Sequence, residues 1–400
     1  MSESSRPEKG GGAKLLKIAL FCPGLGLGGS EHQLMNLAVG MNARGHDVRV
    51  LVLYGGEPAE RKLTEAGISL VNLDKKGPAG ALVALFRLRR YLKHHPVDIL
   101  YSFHGLPNLL APLVRRRRRC PAVVVGVRAT RLDTAHLSWL QRFAYRLEPK
   151  LAAHADLVIA NSHAGCRDAE FRGFPADRLC VILNGIDTRQ FFPDREAGLR
   201  VRRELRIAAS APVVGMVARI DPMKDHQTFF EAAVMVRKRE SGARFLCVWD
   251  GDPAGQRRLT ESAECRGLGK ALDWARGDSG LPGFYNAMDV VVSSSSYGEG
   301  FPNVVGEALA CGRMCVVTDV GDSARLIDGV GIVVPPSAPR RLADGILRAL
   351  SNPRGKAPIM QARERVLSQY SMDTMVENTL QVLLPLTGTK RAATAARLET

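Results

Sequence analysis

The sequence is short of several features that would assign it to a common class at once. Aromatic residues make up 6% of the chain, and no apolar stretch approaches the ~20 residues needed to span a bilayer. A membrane-spanning helix is therefore excluded. The eight cysteines form no Cys-x-x-Cys pair and have no histidine partner at zinc-finger spacing. In their apolar surroundings they read as reduced core residues of a cytoplasmic protein rather than as a disulfide framework. The Walker Gly-Lys-Ser/Thr element is missing. No helix-turn-helix, zinc or aromatic RNA-binding signature accompanies the basic charge, which argues against nucleic acid. Residues 1–14 are polar and glycine-rich, without the apolar core of a secretory signal, and read with residues 389–400 as disordered tails.

What the chain does have is size and alternation. Its 400 residues, 46% of them hydrophobic, suffice for two domains of ordinary dimensions. Short apolar runs alternate with helical segments, the pattern of doubly wound parallel sheets. Strands are predicted over 16–21, 48–53, 68–73, 99–102, 122–127 and 157–160, then over 212–217, 245–249, 289–293, 315–318 and 331–334. A helix from Ser30 to Arg44 sets Leu34, Leu37, Ala38 and Met41 on one face. This divides the chain into a first α/β domain over 15–190, a second over 191–355, and a helical segment over 356–388 that can return to the first.

The net charge of +16 is uneven. Residues 1–190 carry 28 Lys/Arg against 16 Asp/Glu, a balance of +12; residues 191–400 carry 28 against 24, or +4. The first domain is thus expected to face something anionic, such as a phospholipid surface, an anionic lipid carrier or, a poorer match, nucleic acid. Arg142, Arg146 and Lys150 fall along one helical face, with Leu140, Phe143, Leu147 and Leu151 predicted elsewhere and Trp139 available as an interfacial anchor. Arg87, Arg89, Arg90 and Lys93 interleave with Leu and Phe, and Arg115 to Arg119 is an unbroken cationic run.

Three motifs carry chemistry. In the first, Glu299 and Glu307 lie eight positions apart, Glu299 on a loop after the strand 289–293 and Glu307 inside the helix that follows Gly300-Phe301-Pro302. Pro302 suits the opening of that helix, where its missing N–H costs nothing. A helix that starts at the carboxyl end of a buried strand aims free N–H groups and its positive dipole end into the crevice where α/β proteins bind anions. In the second, Gly24-Leu25-Gly26-Leu27-Gly28-Gly29 follows a strand and starts a helix, so backbone can approach a phosphate closely. Its spacing is not that of a dinucleotide fingerprint, and Leu53-Tyr54-Gly55 occupies the place of the acidic residue that a nicotinamide cofactor needs. In the third, Arg219 and Lys224 bracket a loop turned by Pro222, two cations suited to a diphosphate leaving group.

These motifs, with Gly28-Gly29-Ser30-Glu31, Asn161-Ser162, Asn184-Gly185-Ile186-Asp187 and Thr318-Asp319-Val320-Gly321, occur in an order that resembles the retaining family-4 glycosyltransferases of the GT-B fold. The resemblance implies two Rossmann-like domains facing a central cleft. It implies a nucleotide-diphosphate-sugar donor, UDP- or GDP-linked, and transfer with retention to a hydroxyl on a lipid-linked or polysaccharide precursor. Arg219 and Lys224 would hold the diphosphate, Glu307 the ribose hydroxyls and Glu299 the transferred sugar. Backbone amides of Phe301, Pro302 and Asn303 would reach sugar or phosphate, while Gly28 and Gly29 close over the diphosphate. No cofactor and no metal are expected, because no Asp-x-Asp cluster is read that would offer the oxygen ligands with which metal-dependent sugar transferases bridge a diphosphate. Arg219, Lys224 and the helix dipole would supply the positive charge instead. The protein would then be cytoplasmic, with peripheral attachment to the inner face of the membrane.

Two positions depart from the family pattern. Arg128 stands where relatives often carry histidine; guanidinium cannot act as a base, but it can bind an anionic donor or acceptor group. Arg325, after Gly321-Asp322-Ser323, stands where many relatives place glutamate, a version that looks like a branch acting in bacterial surface-polysaccharide assembly. His104, after the strand 99–102, is expected to line the cleft. The rival readings are a dinucleotide-dependent oxidoreductase and a non-catalytic sugar-nucleotide-binding homologue.

Overall fold

A computed structural model describes residues 14–387, except 27, 58, 78–79, 115–121, 129, 131–137, 278–279 and 352–355. Two separate parallel sheets organise these residues. The first contains β1 (Lys17–Cys22), β2 (Asp47–Val52), β3 (Ser69–Asn72), β4 (Ile99–Phe103), β5 (Ala122–Val127), β6 (Leu157–Ala160) and β7 (Leu179–Val181), in spatial order β3-β2-β1-β4-β5-β6-β7. The second contains β8 (Val213–Arg219), β9 (Arg244–Asp250), β10 (Leu272–Arg276), β11 (Val290–Ser293), β12 (Met314–Thr318) and β13 (Ile332–Val334), in order β10-β9-β8-β11-β12-β13. Neighbouring strands are parallel throughout. The strand order reverses between β1 and β4 and again between β8 and β11. A crevice opens at each of these points, at the carboxyl ends of the strands.

The central strands are buried on both faces, which is why they read as unbroken apolar runs. β4 and β5 expose no residue. Each sheet is covered by one hydrophobic core on each side. Leu34, Leu37, Ala38 and Met41 of the helix Gly29–Asn42 are all at most 2% exposed, as the periodicity predicts. Two strands escape the sequence reading. β7 and β10 are edge strands, much of their length only half-buried, and β10 carries Asp273 at a half-buried position and Arg276 at an exposed one. β7 is three residues long and merges with the apolar run after it, and β10 breaks its apolar pattern with charge on the side that faces water.

The chain crosses between the two lobes twice, side by side. Ile186 forms an isolated parallel bridge with Ser371, its N–H donating to the Tyr370 carbonyl and its carbonyl accepting from Met372 N–H. Gly185 is needed there because a Cβ would lie 2.7 Å from the Met372 Cα. The segment after residue 355 divides. Helix Lys356–Gln369 buries Ala362 and Val366 in the second lobe, whereas helix Met372–Leu383 buries Met375, Val376, Leu380 and Leu383 against the first. Arg44, just beyond the first helix of the chain, pairs with Asp373 at 2.9 Å.

Candidate active site

The loops at the two switch points face one another. After β8, Asp221 caps a short 3-10 turn, Pro222–Lys224, by accepting from Met223 N–H. Asp225 then adopts a left-handed conformation (φ 49°) and caps the helix His226–Arg239 by accepting from Thr228 N–H. This double turn carries Lys224 across to the loop after β11. There Lys224 Nζ lies 2.5 Å from Glu299 Oε1, and the same oxygen accepts from Ser295 Oγ at 2.6 Å. Both side chains are largely buried, at 15% and 7% exposure. Burial in a low-dielectric site makes such a pair costly to break by removing one partner.

Glu299 is also held through its backbone. Thr130, just beyond β5 in the first lobe, donates its hydroxyl to the Glu299 carbonyl at 2.5 Å. Gly321 approaches from the other side with φ +64°, so closely that a Cβ would sit 2.5 Å from that carbonyl. Gly300 is pressed against Asn161 and Ser162, where a Cβ would be 3.1 Å from both side chains. The carboxylate of Asp322 reaches across the lobes to accept from His163 N–H (2.7 Å) and Ala164 N–H (2.9 Å), at the start of helix His163–Phe171. In the sequence, Gly321-Asp322-Ser323 marks only a family distinction; its physical role is to tie the Glu299 loop to the opposite lobe.

The helix Asn303–Ala310 opens at the cleft with Pro302 as its N-cap, one residue before the position expected for it. Proline has no N–H, so the expectation that Pro302 contributes a backbone amide is wrong. The donors available at this helix start are the N–H groups of Asn303 and its successor Val304. Asn303 also bridges the cleft through its side chain. Its Oδ1 accepts from Asn184 Nδ2 at 2.9 Å, and its Nδ2 lies 3.5 Å from the Gly29 carbonyl. A Cβ on Gly29 would come within 3.0 Å of that same Nδ2. The glycine loop of the first lobe therefore meets the helix start of the second. Phe301 is buried and packs edge-on against Tyr370, with ring centroids 5.7 Å apart.

Glu307 lies further along that helix, where its carboxylate accepts from the Tyr285 hydroxyl at 2.7 Å. Burial raises its pKa to about 7, only partly offset by that hydrogen bond. Arg219, the last residue of β8, is half-exposed, with Asp221 at 3.7 Å. Its charge is felt across the cleft by Glu31 in the first turn of the helix Gly29–Asn42. Glu31 folds back over the glycine loop, its Oε2 only 2.2 Å from where a Gly28 Cβ would be, so this position excludes a side chain unless Glu31 moves. Its other carboxylate oxygen lies 3.4 Å from His104 Nε2. Burial pushes the Glu31 pKa up, but the hydrogen bond and charge of His104 outweigh it, and the net shift is downward. His104 holds φ at 35°, an uncommon conformation for a non-glycine residue.

Arg128 sits at the floor of the first lobe's crevice. Its guanidinium lies 4.1 Å from the Phe103 ring centroid, donates to the Tyr101 hydroxyl at 2.5 Å, and lies 3.5 Å from Asn184 Oδ1. Its Nε is buried without a hydrogen-bond partner. The expectation that the chain has no Asp-x-Asp cluster is wrong, since Asp250-Gly251-Asp252 is one. Here, however, Asp252 caps the helix Pro253–Cys265 and Asp250 accepts from Gly251 N–H. Among the described residues no three His, Cys, Asp or Glu side chains are grouped to hold a metal. The seven described cysteines are all free thiols. Burial raises the pKa of the buried Cys311 to about 12.

Sequence reasoning thus names Arg219, Lys224, Glu299, Glu307, Gly28, Gly29, Asn303, His104 and Arg128, which border this cleft or its floor. It also names Phe301 and Pro302, of which Phe301 turns its side chain inward onto Tyr370 and Pro302 has no amide to offer. It misses the roles of Thr130, Ser295, Tyr285 and Asp322, which position the named residues. Asn184 and Asp322 stand in motifs visible in the sequence, but the contacts they make are not visible there.

Comparison with known proteins agrees with this geometry. A family model described as a glycosyl transferase 4-like domain matches residues 28–185, and one for glycosyl transferases of group 1 matches residues 211–352. A D-inositol 3-phosphate glycosyltransferase of Salinispora tropica is 28% identical over 306 residues, 71% of this chain and 63% of that protein. Among solved structures, Anabaena HepE in complex with UDP-glucose superposes with a TM-score of 0.80 at 21% identity, over 92% of this chain and 99% of that one. WaaG, a glycosyltransferase involved in lipopolysaccharide biosynthesis, superposes with a TM-score of 0.70 at 17% identity, over 91% and 99%. The two-sheet architecture is the GT-B fold, and the chain belongs to the group 1, family-4 glycosyltransferases.

Proposed function

We propose that this protein transfers a sugar from a nucleoside-diphosphate sugar, UDP- or GDP-linked, to a hydroxyl of a lipid-linked or polysaccharide precursor, with retention and without a metal ion. The observation that carries this reading is the Lys224–Glu299 pair, buried beside the start of helix Asn303–Ala310 and opposite the Gly28–Gly29 loop. A departing nucleoside diphosphate would meet Lys224, Arg219 and the free amides of Asn303 and Val304, which favour negative charge as it develops. Glu307 would accept hydrogen bonds from the ribose. Arg128, a half-buried cation at the crevice floor whose enclosed Nε–H is unpaired, would receive an anionic or strongly polar group of sugar or acceptor.

Within a retaining reaction, the way Glu299 is held favours same-face attack over a double displacement. Its carboxylate is engaged by Lys224 and Ser295, which weakens it as a nucleophile and suits it to hold sugar hydroxyls. Attack by the acceptor on the same face as the leaving group then needs no enzyme nucleophile, and the departing phosphate takes the acceptor proton. Glu31 and His104, facing the cleft from the first lobe, would orient that hydroxyl. The UDP and UDP-glucose held by Anabaena HepE, and the lipopolysaccharide role stated for WaaG, support this donor and acceptor class.

Calorimetric titration with UDP, GDP and ADP, followed by donor turnover in the presence of EDTA, tests the proposal. Binding of one diphosphate with metal-independent turnover and an anomerically retained product is expected. Nucleotide binding with no turnover of any donor would leave a sugar-nucleotide-binding protein instead.

A further inference from the structure

The first lobe presents a surface that the donor site does not use. Helices Gly80–His94 and Trp139–Ala152 cover the same side of the first sheet, burying Ala84, Leu88 and Ala152 in one core. Between them lies the turn Pro112–Val114, tied to the first helix by Arg89, whose guanidinium donates to the Leu113 carbonyl at 2.8 Å. From these three elements large apolar side chains project outward: Leu82 is 76% exposed, Phe86 66%, Trp139 79% and Phe143 58%, with Leu113 at 41%. The sequence predicts Phe143 on a face apart from the cations. It lies instead exposed beside Arg142 and Arg146, because positions 139, 142, 143, 146 and 150 share one side of a helix.

Cations follow the apolar residues along each helix. Arg89, Arg90 and Lys93 on one, and Arg146 and Lys150 on the other, are exposed. The two helices contain a single carboxylate, Glu148, and it turns inward to Arg172 (2.7 Å) and Asn108 (2.7 Å). In a parallel sheet the crossover helices begin at the carboxyl ends of the strands, the side on which the crevice opens. Both helices therefore start, with their exposed apolar residues, at the cleft-side end and carry most of their cations further back, Arg142 standing between Trp139 and Phe143.

We infer that this face docks on an anionic bilayer surface, with Leu82, Phe86, Trp139 and Phe143 entering the headgroup region and the cations lying on the lipid phosphates. Aromatic and aliphatic side chains at the rim of a basic helical face are what interfacial attachment requires. A second copy of the chain fits poorly, because a two-fold contact would set these cations against one another. The orientation rests on the proposed function and deepens it: a lipid-linked acceptor would emerge from the bilayer beside the cleft mouth.

Flotation of the full chain with phosphatidylcholine vesicles, with and without phosphatidylglycerol, tests this directly. Binding to the anionic vesicles alone is expected, weakened by salt and accompanied by a blue shift of tryptophan fluorescence from Trp139. The pair Arg90→Glu and Arg146→Glu is expected to lower vesicle partitioning at least about tenfold, and the set Phe86→Ser, Trp139→Ser and Phe143→Ser to lower it similarly, with UDP affinity unchanged in both. No flotation of the native chain, or equal flotation with neutral vesicles, overturns the inference. Anionic binding that survives loss of the aromatic residues also overturns it, because charge alone would then hold the vesicle and no side chain would enter the headgroup region. Failure of UDP to bind would sink the donor reading and leave the vesicle result standing.

Discussion

The two lobes share one architecture and use charge in opposite ways. The first holds most of the positive excess, +12 of +16, yet its exposed cations on helices Gly80–His94 and Trp139–Ala152 lie outside the cleft. The second is close to neutral, and its switch-point loops hold Lys224 buried against Glu299 with Arg219 nearby. Net charge describes what a surface attracts at a distance. Binding of a diphosphate instead depends on a few groups fixed at short range with their alternatives removed. The lobe with the larger positive excess is therefore not the one that supplies the diphosphate's cations, a division that substitutions in either lobe can challenge.

The largest effect belongs to the buried pair. Lys224→Ala is expected to lower kcat about 10²–10³-fold, and Glu299→Ala to lower turnover more than nucleotide affinity. Because each change strands the other charge, the double variant should be no worse than the poorer single one. Additive losses in donor turnover would mean that the two residues act separately.

Next comes the loop that holds Glu299. Gly321→Ala must place a Cβ 2.5 Å from the Glu299 carbonyl at φ +64°, and a loss of more than ~2 kcal/mol is expected in denaturant unfolding. A variant as stable as the parent would show that this loop tolerates displacement. Arg219→Ala, at a half-exposed side chain, should weaken UDP binding roughly tenfold by calorimetry, with the deficit shrinking as salt is raised.

A smaller, pH-dependent effect is tied to Glu307. Burial raises its pKa to about 7, so its carboxyl is protonated below that pH and ionised above it. If the ionised form receives the ribose hydroxyls, nucleotide affinity should climb as pH rises from about 6 to about 8, by at most about tenfold. Glu307→Gln should flatten that profile. A parent profile already flat would remove Glu307 from the ribose. The smallest effect bears on the contrast between lobes: replacing Phe86, Trp139 and Phe143 by serine should leave UDP affinity within about twofold of the parent, since none of them borders the donor site.

The legibility of the sequence varies in the same way. Buried central strands such as β5 and β11 are plain, because parallel strands covered on both faces must be apolar throughout. The edge strands β7 and β10 are not, because β7 is only three residues long and runs into further apolar residues, while the half-exposed face of β10 admits charge. Glu299, Lys224 and Arg219 are legible because they stand at or just beyond the carboxyl ends of strands, where α/β proteins bind ligands. The roles of Thr130, Tyr285 and Asp322 are illegible because each acts on a residue far away in sequence, as Thr130 does on Glu299, 169 positions later.

The sequence alone determined two α/β lobes, the glycine loop, the cations after β8 and the carboxylates around Pro302, since local pattern and strand-to-helix turns encode those. Only the tertiary structure decided that Lys224 and Glu299 are one buried pair, that Asp322 ties the lobes together, and that Phe143 faces outward among cations. Pairing, burial and exposure are properties of three-dimensional neighbours, and a linear pattern carries them only when those neighbours are also close along the chain.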